Sequence, residues 1–567
     1  MIFKKLFILF VAVAFSAPTF AQINTKLDAD YSAIDFYFDS LYSYKFKAYR
    51  AEQIKSQEDG LYKKIDNAIE NAELVKNIEI TNSTIKKLPK GFEKLVALEK
   101  VVFRNCKNLD LKAAINQLEK IPNLKDLEIS YSSKYEMPSN ISKLSNLEKL
   151  NLVGNKFVVL PDNFSSLIKL KSLVLDENTM INETFLFELL QKMPNLKNVS
   201  VAYSKLKTLP DVTYNYTNLK LEGNLITKLP MGVFAVEDLN LSSNPFLELE
   251  SLFSGMATKS KVEVLNLDYC KIKELPASIG ALKTLKMLLL RGNNLTSLPK
   301  EIGNLSLLEV LDLANESKYL RTNSITNLPQ SIGNLTNLKS LNLKANKLKD
   351  LPSEFSKLVN LEYLDLHLNI MKKFPVELSY LTKLKHLDLG FTEVVSIPEN
   401  ISNLVMLEYL DLTGNFFINY KLKIKNIPSG IGALVNLKTL ILKDNVIEVL
   451  PANITNLSRL EVLDLTDNLI SILPEKIGNL TSLKELNLKA NELKYLDANF
   501  AKLSSLELLN IAFNFEIDNE KTASVLSKMK NLKLVDISDS YFPEDIVNKM
   551  RAANPEMTIK AVNLVKK

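Results

Sequence analysis

"LEYLDLHLNIMKKFPVELSYLTK", residues 361–383, is followed directly by "LKHLDLGFTEVVSIPENISNLVM", residues 384–406. Both stretches open with the pattern LxxLxLxxx and are 23 residues long. The alternating apolar residues at the start of each are typical of a short strand with one buried face. The later proline stops ladder pairing and favours a turn or a short helical segment. Each stretch therefore predicts one strand followed by one return segment.

The same frame recurs along most of the chain, with spacings that are mostly 23 residues and otherwise 20, 26 or 30. A single copy cannot enclose its own leucines, whereas stacked copies can, and each buried leucine contributes about 1.5–3 kcal/mol. Twenty copies predict a solenoid whose strands form one parallel sheet. The copies begin at Val75, Leu98, Leu124, Leu147, Leu170, Leu196, Tyr216, Val236, Val262, Leu285, Leu308, Leu338, Leu361, Leu384, Leu407, Leu437, Leu460, Leu483, Leu506 and Leu532.

An asparagine stands eight residues after the first residue of most copies, at place nine when the first residue is place one. Its amide can bond backbone groups of the turn and of the next coil, which would otherwise be buried without partners. Leucine or isoleucine comes five residues later, commonly followed by proline and then "xxIGxL", as in "LTSLPKEIGNL" at 295–305. The asparagines are Asn155, Asn178, Asn224, Asn244, Asn293, Asn346, Asn369, Asn415, Asn445, Asn468, Asn491 and Asn514.

Over about residues 75–540 these motifs resemble the leucine-rich repeat family, in its class of about 23 residues per repeat with an LPxxIxxL outer segment. The resemblance implies an α/β repeat solenoid, a horseshoe with a parallel β-sheet on its concave face and short helical or irregular segments on its convex face. It also implies a binding scaffold, but the ligand does not follow from the fold.

The two cysteines occupy the asparagine place of their copies, where the family also tolerates cysteine. Cys106 and Cys270 lie seven copies apart, which is about 34 Å at the usual strand spacing. A disulfide requires Cα atoms within about 7 Å. We therefore predict two buried free thiols.

The chain begins with a segment typical of export. Residues 1–21 carry two lysines, an apolar run from Leu6 to Phe15 and small residues ending at Ala21. This pattern predicts a signal peptide cleaved before Gln22, and about ten apolar residues are too short to span a bilayer. No later stretch is long enough either, so no membrane span is expected in the mature chain. The ending of this segment and the lysine- and asparagine-rich repeats resemble those of Gram-negative proteins, which implies a periplasmic, outer-surface or secreted location.

Both ends of a solenoid need a cover, because an open coil exposes leucines and an unpaired strand edge. Residues 22–74 are rich in tyrosine and phenylalanine and are interpreted as a helical N-terminal cap, with a partner-binding arm as the alternative. Residues 541–567 are interpreted as a C-terminal cap, with a helix from near Pro543 and a closing strand over Thr558 to Val562. Neither end leaves room for an added enzyme domain, so a non-catalytic protein is expected.

The charge of the chain and the residues that point away from the core limit the possible functions. Lys and Arg number 71 against 65 Asp and Glu without a basic cluster, which argues against a nucleic-acid partner. Places two, three, five, seven and eight should point away from the core and form rows across the copies. Place two alternates in sign from Glu263 to Lys533, which we interpret as solubility and pairing.

The rows at places three, five and seven hold the candidate partner-binding residues. Place three has large side chains with polar tips, the composition of a recognition hot spot. Place five has adjacent aspartates, interpreted either as carboxylates that are solvated or bonded to neighbouring strands, or as an acidic strip that meets a basic partner or a divalent ion. The candidates on these rows are Tyr363, Asp365, His367, His386, Asp388, Tyr409 and Asp411.

The only two histidines are not expected to form a metal or catalytic centre. His367 is at place seven, about 13 Å along its strand from the row of His386, and no serine, cysteine or third ligand completes a set. No cofactor is expected. Two copies of 30 residues carry loops that hold Tyr319 and Phe417; such loops either carry binding or are tolerated insertions.

These patterns predict an exported, non-catalytic scaffold that recognises a protein or peptide through its concave face. The alternative is a structural or adhesive cell-envelope component that binds surface polymer or glycan.

Overall fold

The computed structural model describes residue 65 and residues 68–315, 323–414 and 423–563. The chain from Ala68 onward forms one compact unit. It contains one 21-stranded sheet, in which each strand pairs in parallel with the next strand along the chain. The expected α/β solenoid is therefore confirmed. Twenty strands belong to the twenty copies, and the last strand lies beyond them.

The strands are short, and most have three residues. Numbered β1 to β21 in chain order, they are Asn77–Thr81, Lys100–Arg104, Asp126–Ser130, Lys149–Asn151, Ser172–Val174, Asn198–Ser200, Asn218–Lys220, Asp238–Asn240, Val264–Asn266, Met287–Leu289, Val310–Asp312, Ser340–Asn342, Tyr363–Asp365, His386–Asp388, Tyr409–Asp411, Thr439–Ile441, Val462–Asp464, Glu485–Asn487, Leu508–Asn510, Leu534–Asp536 and Thr558–Lys560. Because successive strands pair without a shift, the same place of each copy lies beside its counterpart in the next.

The return segments depend on the length of the copy. Most copies return through a 3₁₀ helix, and every copy spaced by 26 residues returns through an α-helix, because three extra residues complete the second α-helical turn. The α-helices, α1 to α5, are Leu111–Leu118, Glu183–Leu190, Leu249–Lys259, Asn519–Leu526 and Glu544–Ala553. The 3₁₀ helices are Phe92–Lys94, Ser139–Lys143, Asp162–Ser166, Met231–Ala235, Ala277–Ala281, Lys300–Asn304, Gln330–Asn334, Ser353–Lys357, Val376–Tyr380, Glu399–Asn403, Ser429–Ala433, Ala452–Asn456, Ile477–Asn479 and Ala498–Lys502.

Leucines at places one, four and six fill the core; in the copy that begins at Leu361 all three are fully buried. The asparagine ladder holds the turns together. Asn369 donates to Leu366 O of its own turn at 2.8 Å and to Leu343 O at 3.0 Å, and its Oδ1 accepts from Leu348 N at 2.9 Å. Leu343 O and Leu348 N belong to the preceding copy. The expectation that the amide bonds the next coil was therefore wrong about which neighbouring coil it bonds.

The cysteines confirm the prediction of buried free thiols. Cys106 Sγ lies 3.3 Å from Ile80 O, and Cys270 Sγ lies 3.2 Å from Leu241 O, so each thiol replaces one bond of the asparagine ladder. Burial raises the pKa of the Cys270 thiol to about 12. Both side chains therefore act as core residues.

Place eight turns the chain away from the strand. Its residues take left-handed φ values of 50–67° in all copies except the two of 30 residues, where Asn315 and Gly414 occupy it. At the first exception Asn315 Oδ1 accepts from Asn323 N at 2.6 Å, and Asn315 Nδ2 donates to Asn323 O at 2.8 Å. Asn323 then supplies the ladder amide to Leu290 O at 2.9 Å. The insertion therefore enters just before the ladder asparagine.

The end of the chain has a helix and a strand after the last copy. Helix α5 begins after Pro543 and precedes β21, which pairs with β20. Of the segment 22–74 only residue 65 and residues 68–74 are described, and the segment 1–21 together with Tyr319 and Phe417 lies outside the described residues. Among the described helices, none combines the length and the apolar character needed to cross a bilayer.

Candidate functional site

The aromatic row consists of Tyr363, His386 and Tyr409, the first residues of β13, β14 and β15. The parallel register sets them side by side. The His386 ring stacks on Tyr363 with centroids 4.4 Å apart and planes 13° apart, and on Tyr409 at 4.2 Å and 7°. All three side chains are half-buried, and they lie on the face of the sheet that points away from the leucine core. The row therefore presents one continuous aromatic surface.

Burial sets the protonation of this row. It lowers the pKa of His386 to about 4, so the imidazole is neutral at physiological pH. It also raises the pKa of both tyrosines, so their hydroxyl groups keep their protons. The register neighbours Ser340 and Thr439 are small and end the stack on either side. The aromatic row is thus a neutral patch limited to three copies.

The acidic row consists of Asp365, Asp388 and Asp411 at place five. Each Oδ1 accepts from the backbone N–H two residues further on, at 2.9 Å from His367, 2.8 Å from Gly390 and 2.8 Å from Thr413. This bond closes the turn after the strand. The main-chain donors belong to the same copy and not to a neighbouring strand, so each aspartate has a structural role beyond any role in binding.

Among the described residues, one basic side chain contacts the acidic row: His367, whose Nδ1 lies 3.2 Å from Asp388 Oδ1. Asp365 and Asp411 are only 6% and 8% exposed. Burial and the neighbouring Asp388 raise the pKa of Asp365 to about 7 and that of Asp411 to about 6. Among the described residues no lysine or arginine forms an ion pair with any of the three. Above about pH 7, where both groups are ionised, negative charge is concentrated beside the aromatic row.

Two other aspartates of the same row are neutralised by basic side chains that sequence analysis missed. Asp312 pairs with Arg291 through Nη2 and Oδ2 at 2.7 Å, and both side chains are buried. Asp536 pairs with Lys560 at 2.8 Å. An arginine at place seven next to an aspartate at place five was the available signal, because strands of adjacent copies bring these places together.

The two histidines lie in different surroundings. His367 Nδ1 is 3.2 Å from Asp388 Oδ1, and its ring contacts Phe391 with centroids 5.0 Å apart. His386 contacts only the aromatic row among the ring contacts described. In the described ranges no group of three or more His, Cys, Asp or Glu side chains is arranged to hold a metal ion. The structure therefore brings His367 to the acidic row and His386 to the aromatic row.

Place two forms separate ion pairs. From Glu263 to Lys533, each lysine bonds the glutamate of the preceding copy at 2.5–2.8 Å on the solvent-facing side of the sheet, so these six glutamates are neutralised. The pairs are Glu263–Lys286, Glu309–Lys339, Glu362–Lys385, Glu408–Lys438, Glu461–Lys484 and Glu507–Lys533.

The raised pKa values predict a pH-dependent stability. An unfolded aspartate has a pKa of about 3.9, so the folded protein holds protons on Asp365 and Asp411 that the unfolded chain releases between about pH 4 and 7. Stability from these groups therefore falls as the pH rises through this window. We expect Asp365→Asn to raise the urea midpoint at pH 8 and to leave it nearly unchanged at pH 4. An effect of equal size at both values would contradict this.

The chain is similar to known sequence families and to solved structures. A family model described as "Leucine-rich repeat region" matches residues 397–563. Two further family models, both described as leucine-rich repeat, match residues 319–370 and residues 146–167. No curated protein matches the sequence.

Several solved structures share the fold. A leucine-rich repeat protein of Leptospira interrogans is 24% identical over 87% of this chain and 98% of its own, with a TM-score of 0.45. The plant peptide hormone receptor RGFR1, in complex with RGF2, is 20% identical over 87% and 78%, with a TM-score of 0.49. TLR13, in complex with ssRNA13, is 21% identical over 86% and 81%, with a TM-score of 0.51. These likenesses concern the fold of the solenoid.

Proposed function

The chain is a leucine-rich repeat protein, and from that premise we propose that it is an exported, non-catalytic scaffold that recognises a protein or peptide through its concave face. The observation that carries this proposal is the stacked aromatic row, Tyr363, His386 and Tyr409, on the face of the sheet that points away from the leucine core. The acidic row beside it supplies polar contacts. The loops bearing Tyr319 and Phe417 would add contacts from their insertion points after β11 and β15.

The geometry of the aromatic row favours tight recognition. A ring held on both sides by other rings loses little rotational freedom when a ligand binds, so less of the contact energy is lost to ordering. Tyrosines that combine apolar area with a polar tip dominate many protein interfaces. Surface residues around the row are paired, as Glu362 with Lys385, and would form the polar rim.

The negative charge of the acidic row favours a protein or peptide ligand over a nucleic acid. TLR13 was solved with single-stranded RNA, whereas three aspartates at the centre of this surface would repel phosphate groups. A protein or peptide can instead offer both apolar side chains and cations. Export is proposed from the signal-like segment 1–21.

A triple alanine variant tests the proposal. Tyr363→Ala, His386→Ala and Tyr409→Ala together should weaken binding of the natural partner at least tenfold, because they remove the whole stacked surface and leave the leucine core intact. The partner is first captured from the native cell envelope, identified by mass spectrometry and then titrated against purified protein by calorimetry.

Tyr380→Ala is the matched control for this test. Tyr380 is 62% exposed and lies in a 3₁₀ helix on the opposite side of the solenoid, so its loss should leave affinity unchanged. Unchanged binding by the triple variant, with a circular dichroism spectrum like that of the parent, would remove the aromatic row from the proposed site.

Glycan binding is a second candidate because of one exposed aromatic cluster. Phe515 and Tyr541 are 56% and 50% exposed, with ring centroids 5.6 Å apart. Exposed rings of this kind suit stacking on sugars, as an adhesive envelope component would require. A glycan array compared with peptide capture separates the two functions.

A further inference from the structure

We infer that the ligand of the aromatic and acidic rows is an extended peptide segment with lysine or arginine side chains. This inference rests on the proposed function and names the chemistry of its partner. The apolar stems of the basic side chains lie along the aromatic row, and their charged ends meet the acidic row.

The ion pairs along the sheet are the first support for this inference. The fold supplies a cation to one further aspartate of the same row on each side of the site, Arg291 to Asp312 and Lys560 to Asp536, whereas Asp464 forms no ion pair among the described residues. At place two within the site, Lys385 neutralises Glu362 and Lys438 neutralises Glu408. Within the described residues, Asp388 is paired only with the imidazole of His367, at 3.2 Å, and Asp365 and Asp411 form no ion pair. An incoming cation would therefore give Asp365 and Asp411 the kind of partner that Arg291 gives Asp312 and Lys560 gives Asp536.

Low exposure makes these carboxylates responsive to a cation. A charge near the surface of a protein interacts more strongly than the same charge in water, and charge-assisted hydrogen bonds are among the strongest polar contacts. Burial raises the pKa of both Asp365 and Asp411, and the hydrogen bonds that each accepts within its own turn offset this only in part. The charged and titratable groups around them are Asp388, His367, Lys344, Tyr363 and Tyr409.

Distances between the rows suit basic side chains. Places three and five are two residues apart on one strand, so the rows are about 7 Å apart, which a lysine side chain spans with its stem on one row and its ammonium on the other. Three adjacent strands cover about 10 Å from first to last. About three residues of an extended chain cover the same distance, so two basic side chains can reach the site at once.

Three capped ten-residue peptides test the inference on the full chain. They alternate alanine with lysine, with glutamine or with glutamate. By calorimetry at moderate salt, the lysine peptide should bind at least tenfold more tightly than the glutamine peptide, and the glutamate peptide should show no binding. Asp411→Asn should weaken binding of the lysine peptide at least fivefold.

Asp464→Asn is a closely matched control. Asp411 Oδ1 accepts from Thr413 N at 2.8 Å and Thr413 Oγ1 at 2.6 Å, and Asp464 Oδ1 accepts from Thr466 N at 2.9 Å and Thr466 Oγ1 at 2.6 Å. The two substitutions remove the same charge from the same turn, but Asp464 lies outside the site. Its replacement should leave the affinity for the lysine peptide unchanged.

The outcomes separate the two proposals. Equal loss in both asparagine variants, equal binding of the glutamine peptide, or binding of spermidine as tight as that of the lysine peptide would overturn the basic-peptide inference. A natural partner that is lost in the triple alanine variant but binds through an acidic segment would overturn the inference and keep the proposed function. A natural partner retained by that variant would overturn both.

Discussion

Asn369→Ala should lower the free energy of unfolding by about 3 kcal/mol or more, because the substitution leaves buried backbone groups without hydrogen bonds at about 1–3 kcal/mol each. The groups affected are Leu343 O, Leu366 O and Leu348 N, in two successive copies. Asn369 is only 2% exposed, so water cannot replace the amide at low cost. The urea midpoint followed by circular dichroism measures the loss, and hydrogen exchange should rise most in residues 338–383.

Asn360→Ala is the control, since Asn360 also donates to a backbone carbonyl of the preceding copy. Its Nδ2 lies 2.8 Å from Thr336 O, but the bond is exposed and water can take its place. The loss should stay below about 1 kcal/mol. Equal effects of the two alanines would show that the buried ladder does not hold the copies together.

Gly333→Val should destabilise the solenoid by about 3 kcal/mol, at the upper end of the usual cost of overpacking. Gly333 is buried in the 3₁₀ helix Gln330–Asn334, and a Cβ there would lie 2.2 Å from Glu354 O in the helix of the next copy. A backbone carbonyl cannot turn aside as a side chain can, so the two return segments must separate. Thermal unfolding by calorimetry measures the effect.

Ser356→Val is the matched control because Ser356 occupies the same place one copy later. Its hydroxyl donates to Ser353 O at 2.7 Å in an exposed contact. The substitution should change stability by less than about 1 kcal/mol. A Gly333→Val protein as stable as the parent would show that the return segments tolerate wider spacing, and the repeated IG motif would need another explanation.

Sequence spacing by itself determined the fold and the neighbours within it. Residues 23 apart become lateral neighbours because strands of equal copies pair without a shift, so Tyr363, His386 and Tyr409 were predicted to share one row and do so. The free buried cysteines followed from the same rule. Copy length also carried information that went unused, since each spacing of 26 residues marks an α-helix.

Only the tertiary structure decided the chemistry of that row. Nothing in the spacing says that the rings stack within 13° of parallel or that Asp365 is only 6% exposed. Burial, ring orientation and pKa depend on atoms contributed by several copies at once, whereas periodicity specifies only which residues are adjacent. A repeat therefore determines position, and the packing of unlike side chains on that repeat determines charge, exposure and the capacity to bind.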